Sequence, residues 1–184
     1  MVYDACVLYP AQLRDLLMYL ALSHLFCAKW TDEIHDEWTR GLLADRQDLT
    51  VQQVQRIRDL MDQALPDSKV TGYEPLVPGL SLPDPDDRHV LAAAIRGNAD
   101  AIITLNLRDF PQSELDRHGI EAMSPDAFVA LQLRQYTFGA CQAIQTHRAS
   151  LKRPPKTVDE YLTSLEQAGL KNTVAELRRY RDLI

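Results

Sequence analysis

Apolar residues recur along the chain at two spacings, and the alternation between them sets the expected fold. Val2 to Leu8 is a short run of apolar and β-forming residues with Asp4 inside it, which predicts a strand closed by Pro10. Leu13, Leu16, Leu17 and Leu20, then Phe26, keep helical spacing, as do Trp30, Ile34, Trp38 and Leu42. Val51, Val54, Ile57 and Met61 make a third helical stripe, opened by a Thr50–Gln53 capping box and stopped by Pro66. Residues 72–85 carry four prolines and two glycines and read as a loop. Asp84-Pro85 then reads as an N-cap followed by proline at the first helical position. The helix runs through Val90–Ile95 to about Gly97-Asn98, and its nearly all-apolar surface predicts burial on several sides.

Ala101–Thr104 is a short apolar strand of the kind found in parallel sheets. Phe110-Pro111 leads into a short helix ending near Gly119, Ile120–Met123 is another strand, and Ser124-Pro125 caps a long helix holding Phe128, Leu131 and Leu133. Strands alternating with helices predict an α/β fold with a central parallel sheet flanked by helices. Sites in such sheets form at the carboxyl ends of the strands, here near Asp4 and beyond Thr104. From residue 126 no strand pattern appears. Arg153–Lys156 breaks two helices, Thr157 with Glu160 makes a second capping box, Gly169 fits a helix stop, and Thr173–Ile184 reads as a last helix. The chain therefore divides into an α/β domain over 1–128 and a C-terminal helical extension over 129–184.

Composition narrows the chemistry. The 184 residues are 46% hydrophobic and 25% charged, ordinary for a globular chain, with a formal net charge of -6. The charge is uneven: residues 1–125 hold 20 acids against 11 Lys and Arg, and residues 126–184 hold 6 against 9. Cys6, Cys27 and Cys141 are scattered among apolar residues, so buried reduced thiols are expected rather than disulfides or a zinc knuckle. The first ten residues have no basic segment and do not read as a signal peptide. The longest apolar stretch, Leu16–Ala28, is too short and polar for a membrane span, and a cytoplasmic protein is expected.

Several acids stand where packing favours apolar residues. Asp4 interrupts the first strand, which requires an edge position, a neutral hydrogen-bond partner or a functional role. On the second helix Asp36 faces solvent, whereas Glu37 borders the apolar stripe and points inward, as a snorkelling boundary carboxylate or as a site residue. Asp84, Asp86 and Asp87 crowd one helix start, where a single acid would satisfy the dipole. Asp87 shares a face with Val90, Leu91 and Ala94 and points to the interior. Asn106–Phe110 follows the AIIT strand and, taken alone, reads as a strand-to-helix turn using Asn and Asp as turn formers. If the strands are parallel, Asp4, Asp87 and Asp109 meet at one sheet edge, within reach of Glu37. Converging carboxylates raise one another's pKa and call for a cation, and oxygen-only ligands suit Mg²⁺ or Mn²⁺. His24, His35, His89, His118 and His147 lack metal-motif spacing, and His89 is expected at the surface.

These residues resemble the PIN-domain ribonucleases, in particular the VapC-type toxins. The segments carrying the resemblance are Asp4–Leu8, the inward Glu37, Asp87–Ala94 and Thr104–Phe110, and it covers about residues 1–130. It implies a PIN-like fold and an acidic quartet at Asp4, Glu37, Asp87 and Asp109, with Thr104 and Asn106 as supporting polar residues. Asp84 and Asp86 compete with Asp87 as ligands, and some members of the family carry an acid where Asn106 stands. The implied activity is hydrolysis of RNA phosphodiester bonds using Mg²⁺ or Mn²⁺. The implied partners are an RNA substrate, a cognate antitoxin and a second copy in a homodimer, with no membrane. Arg88 and Arg108 flank proposed ligands and either contact phosphate or offset local acidity. Lys152, Arg153, Lys156, Lys171, Arg178, Arg179 and Arg181 form either a rail for RNA or a solvated face.

Three other classes share parts of this pattern. A phospho-receiver domain needs a lysine after its last strand, and none lies near Ile120–Met123. DNA flap cleavage shares the acids but needs a long helical gateway. A PIN fold acting as a silent RNA-binding or interaction module is the alternative to the endoribonuclease.

Overall fold

The computed structural model describes residues 1–184. Its sheet has three parallel strands in the order β1-β2-β3: β1 is Val2–Tyr3, β2 is Ala101–Ile103 and β3 is Glu121–Met123. Val2 pairs with Ile102, and Ala101 with Glu121. The outer side of β1 is also covered: Val2 bridges to Lys29 and Trp30 to Lys69, both parallel. Asp4 thus follows a strand flanked on both sides, which excludes the edge-strand explanation.

The strand expected over Val2–Leu8 is only two residues long. Ala5–Leu8 is a helical turn, α1, and Asp4 sits at the junction. A short, mostly apolar run does not separate strand from buried helix by periodicity. Here tertiary packing decides, since Val7 and Leu8 are both fully buried.

The expected helices are present: α2 is Ala11–Leu22, α3 is Asp32–Asp45, α4 is Val51–Ala64 and α5 is Arg88–Arg96. The Thr31 hydroxyl caps α3 by accepting from the Ile34 N–H at 3.1 Å. The Thr50–Gln53 capping box opens α4 as expected, though Val51 of its stripe is exposed while Val54 and Met61 are buried. The 72–85 loop contains a 3₁₀ turn, Glu74–Gly79, and a second such turn, Pro85–Asp87, leads into α5. Helix α5 is buried from His89 to Ala94 and packs against β1 and β2. Its Ala92 and Ala93 also form a core with Val70 and Tyr73. Full burial of a Val- or Leu-sized side chain contributes about 2 kcal/mol. Helix α6 is Gln112–Leu115, followed by a 3₁₀ turn closed by Gly119 at φ 66°.

The chain forms two compact units. One comprises Met1–Pro10 and Cys27–Ser124 and contains the sheet; the other comprises Ala11–Phe26 and Pro125–Ile184. The second is helical: α7 Pro125–Gln135, α8 Thr137–Ser150, α9 Val158–Gln167 and α10 Lys171–Leu177 join α2. The Thr157–Glu160 capping box and Gly169, at φ +88°, stand where the sequence places them. The Asp126 carboxylate accepts from the Asn172 and Thr173 N–H groups and so caps α10. The last helix stops at Leu177, and Arg178–Leu183 continues as a kinked 3₁₀ segment. No helix is long and apolar enough to cross a membrane.

Candidate acidic site

The carboxyl ends of β1 and β2 lie side by side because the strands are parallel. Pairing runs one residue past each strand, with the Asp4 N–H donating to the Ile103 carbonyl and the Thr104 N–H to that of Met123. This brings two buried polar residues together: Asp4 is 4% exposed and Thr104 is fully buried. The Thr104 hydroxyl donates to Asp4 Oδ2 at 2.6 Å and accepts from the Asn106 N–H at 2.9 Å. The Cys6 thiol also donates to Asp4 Oδ2, at 3.0 Å, while its sulfur accepts from the Leu105 N–H. Asp4 is therefore a buried carboxylate held by neutral donors, one of the explanations its place in the sequence leaves open. Burial, with the Asp4 charge beside it, pushes the Cys6 thiol up to about 12. At neutral pH Cys6 is a hydrogen-bond donor and not a nucleophile.

Asp87 ends the 3₁₀ turn before α5 and is half-buried. Its carboxyl is pushed up to about 7, first by burial and then by the charges of Asp4, Asp84, Asp109 and Glu37. These acids come from four separate stretches of the chain, and their fields meet at the Asp87 carboxyl. Asp84 also caps the 3₁₀ turn, accepting from the Asp86 N–H at 2.9 Å. Asp86 is exposed. The Arg88 guanidinium is tied back to the Pro85 carbonyl at 2.8 Å, and Asn106 and Arg108 are exposed. Asp109 closes the turn after β2, its N–H donating to the Asn106 carbonyl.

Glu37 and Glu33 are four residues apart on α3 and share one face. Between them lies His89. Its Nε2 is 3.0 Å from Glu37 Oε1 and its Nδ1 is 3.6 Å from Glu33 Oε2. His89 is 4% exposed, so the expected surface position is wrong. The error has a readable cause: a histidine in the first turn of a helix apolar on nearly every side cannot avoid burial. Burial opposes its charged ring, but Glu37, Glu33 and Asp4 outweigh that and raise its pKa. Beside Glu37 lies a shallow hollow of about 280 Å³, lined by Ala5, Cys6, Tyr9, Glu37 and Trp38. Cys6 and His89 both touch the acids, and sequence reasoning placed neither in the site. Of the thiols expected to be buried, Cys141 is buried, Cys6 is half-buried and Cys27 is exposed.

The donor set suits a hard divalent cation, since it offers carboxylate oxygens whose mutual repulsion a positive ion relieves. No three His, Cys, Asp or Glu side chains are placed to close on a single ion. The acids are thus near enough to feel one another's charge without forming a ready cage. In the C-terminal unit, Arg178, Arg179 and Arg181 pair with Glu166, Glu176 and Asp159. Three of the seven basic groups read as either a rail for RNA or a solvated face are therefore partly offset.

The hydroxyl of Thr104 should be among the most important small groups here. Thr104→Val keeps the volume but leaves the Asp4 carboxylate one donor short and the Asn106 N–H without its acceptor. The expected loss is about 2–3 kcal/mol in urea unfolding. A midpoint unchanged from wild type would show that water replaces the hydroxyl.

Residues 1–108 match the model described as PIN domain, and residues 125–179 match the model described as VapC50 C-terminal domain. A protein of Mycobacterium tuberculosis (strain ATCC 25618 / H37Rv) named "Putative ribonuclease VapC50" is 50% identical over 50 residues, 27% of this chain and 30% of that protein. The aligned part is thus under a third of the relative's length. No solved structure matches. Because the PIN domain model spans more than half of the chain, over β1, β2 and the acids Asp4, Glu37 and Asp87, the chain belongs to the PIN domain family.

Proposed function

We propose that this chain is an endoribonuclease dependent on Mg²⁺ or Mn²⁺, and the toxin of a type II toxin–antitoxin pair. The observation that carries the reading is the gathering of Asp4, Glu37 and Asp109, with Asp84, around the Asp87 carboxyl. The name of the Mycobacterium tuberculosis relative supports RNA as the substrate. Asp4, Glu37, Asp87 and Asp109 would hold the cation, with Thr104 and Asn106 fixing Asp4. When bound, the ion activates water and offsets charge on the phosphate. Asp84 and Asp86 compete with Asp87 as ligands, and Arg88 and Arg108 either meet backbone phosphates or offset the local acidity. In this reading residues 1–128 do the chemistry in the cytoplasm, and 129–184 serve the antitoxin or the second copy of a homodimer.

The alternative is a PIN fold that binds RNA without cutting it. It is favoured by the lack of three side chains closed on one ion-sized point. Incubating the purified protein with total RNA in Mg²⁺, in Mn²⁺ and in EDTA separates the two. Cleavage with either cation and none in EDTA is expected. RNA that is retained by the protein but stays intact under both cations would establish the silent module instead.

A further inference from the structure

We propose that His89 is a positioning residue, held between two glutamates of α3 so that it fixes the Glu37 carboxylate in the acidic site. The inference rests on the nuclease reading above and adds a residue to it. Two like charges at i and i+4 on a helix repel. Glu33 and Glu37 stand at that spacing, and the imidazole from α5 occupies the space between them. Its short contact is to Glu37, at 3.0 Å. Glu33 Oε2, the oxygen nearest His89 Nδ1, also accepts from the Tyr73 hydroxyl at 2.9 Å.

A histidine that only filled the core would be an odd choice at this position. Every other buried residue of α5 is Ala, Val or Leu. The His89 ring is buried, yet its Nδ1 has no hydrogen-bond partner. An apolar side chain there would avoid the cost of that unpaired nitrogen. What the histidine adds is a donor on Glu37, whose side chain is 31% exposed and carries several rotatable bonds. Freezing such a side chain costs conformational entropy, which a fixed partner offsets before any cation arrives. Outer partners of this kind orient ligands and carry about 10–100-fold in metal affinity.

The test measures Mn²⁺ binding to the RNA-free protein by electron paramagnetic resonance, alongside RNA cleavage. His89→Leu should weaken Mn²⁺ about tenfold or more and lower kcat, with KM for RNA little changed. His89→Gln, whose amide nitrogen reaches near the Nε2 position, should recover most of both. Tyr73→Phe leaves His89 in place and should weaken Mn²⁺ more modestly, and it carries the comparison if His89→Leu does not fold. Wild-type affinity in the folded Leu variant, or in Tyr73→Phe where only that variant folds, overturns the inference and leaves the nuclease reading intact. A Gln variant no better than Leu also overturns it. A wild-type protein that binds no Mn²⁺ overturns both.

Discussion

Replacing Asp87 by asparagine is expected to abolish RNA cleavage and, in the same protein, to raise its resistance to unfolding above pH 7. The two effects share one cause. Asp87 is held from its ordinary 3.8 up to about 7 by burial and by the charges of Asp4, Asp84, Asp109 and Glu37. A carboxyl whose folded pKa is raised binds its proton more tightly folded than unfolded. Stability is therefore retained below about pH 4, is lost as pH climbs toward 7, and stays lost above it. For a half-buried group screened by solvent the loss is roughly 2 kcal/mol. Asparagine keeps the shape and removes the charge, so it should recover about that amount, or roughly 4–8 °C in melting temperature. The gain should be largest at pH 8 and should shrink toward pH 5, measured by calorimetry in EDTA. Cleavage should fall about a hundredfold or more, equivalent to about 3 kcal/mol of transition-state stabilisation. Asp4→Asn should lose cleavage equally but gain no stability, because Thr104 and Cys6 both donate to its Oδ2. A stability gain in Asp87→Asn that is equal at pH 5 and pH 8 would show that relief of charge is not its cause.

The acids are legible in the sequence because each breaks a local rule. Asp4 stands in an apolar run, Asp87 is one of three acids where one suffices, and Glu37 borders an apolar stripe. The neutral support is legible only through the family resemblance, which names Thr104 and misses Cys6. Nothing in the spacing of Cys6 or Thr104 says that β1 and β2 will be neighbours about 100 residues apart in the chain, yet that pairing puts the Thr104 hydroxyl on Asp4. The length of the first strand is hidden for a related reason. A short buried run is apolar whether extended or helical, and only the turn at Asp4 lets the carboxylate stand at the end of the sheet. His89 is misplaced when judged by its polarity alone, because the apolar helix around it already fixes its burial. The net charge of -6 is likewise a poor guide to the working surface. Part of it is the acidic cluster itself, and three arginines of the basic tail are paired with acids of their own unit.

A divalent cation should stabilise the wild-type protein, and more strongly at pH 8 than at pH 6. At pH 6 the Asp87 carboxyl, held up to about 7, is mostly protonated, and an entering ion must displace that proton. Affinity should therefore rise about tenfold per unit up to pH 7 and then level off. A ligand at a hundred times its Kd stabilises the folded state by about 2.7 kcal/mol, or roughly 5–10 °C for a chain of this size. Thermal unfolding in Mn²⁺ and in EDTA at the two pH values reads this directly. Asp87→Asn should show a smaller shift with a weaker pH dependence, because the Asp87 proton that competes with the ion is gone along with one ligand and only the His89 charge still titrates beside the site. If Mn²⁺ shifted wild type and Asp87→Asn by equal amounts at both pH values, the ion would be binding elsewhere on an acidic surface. The pH dependence matters more than the size of the shift, because any acid can attract a cation. Only a carboxyl already crowded by Asp4, Asp84, Asp109 and Glu37 makes that attraction turn on near neutral pH.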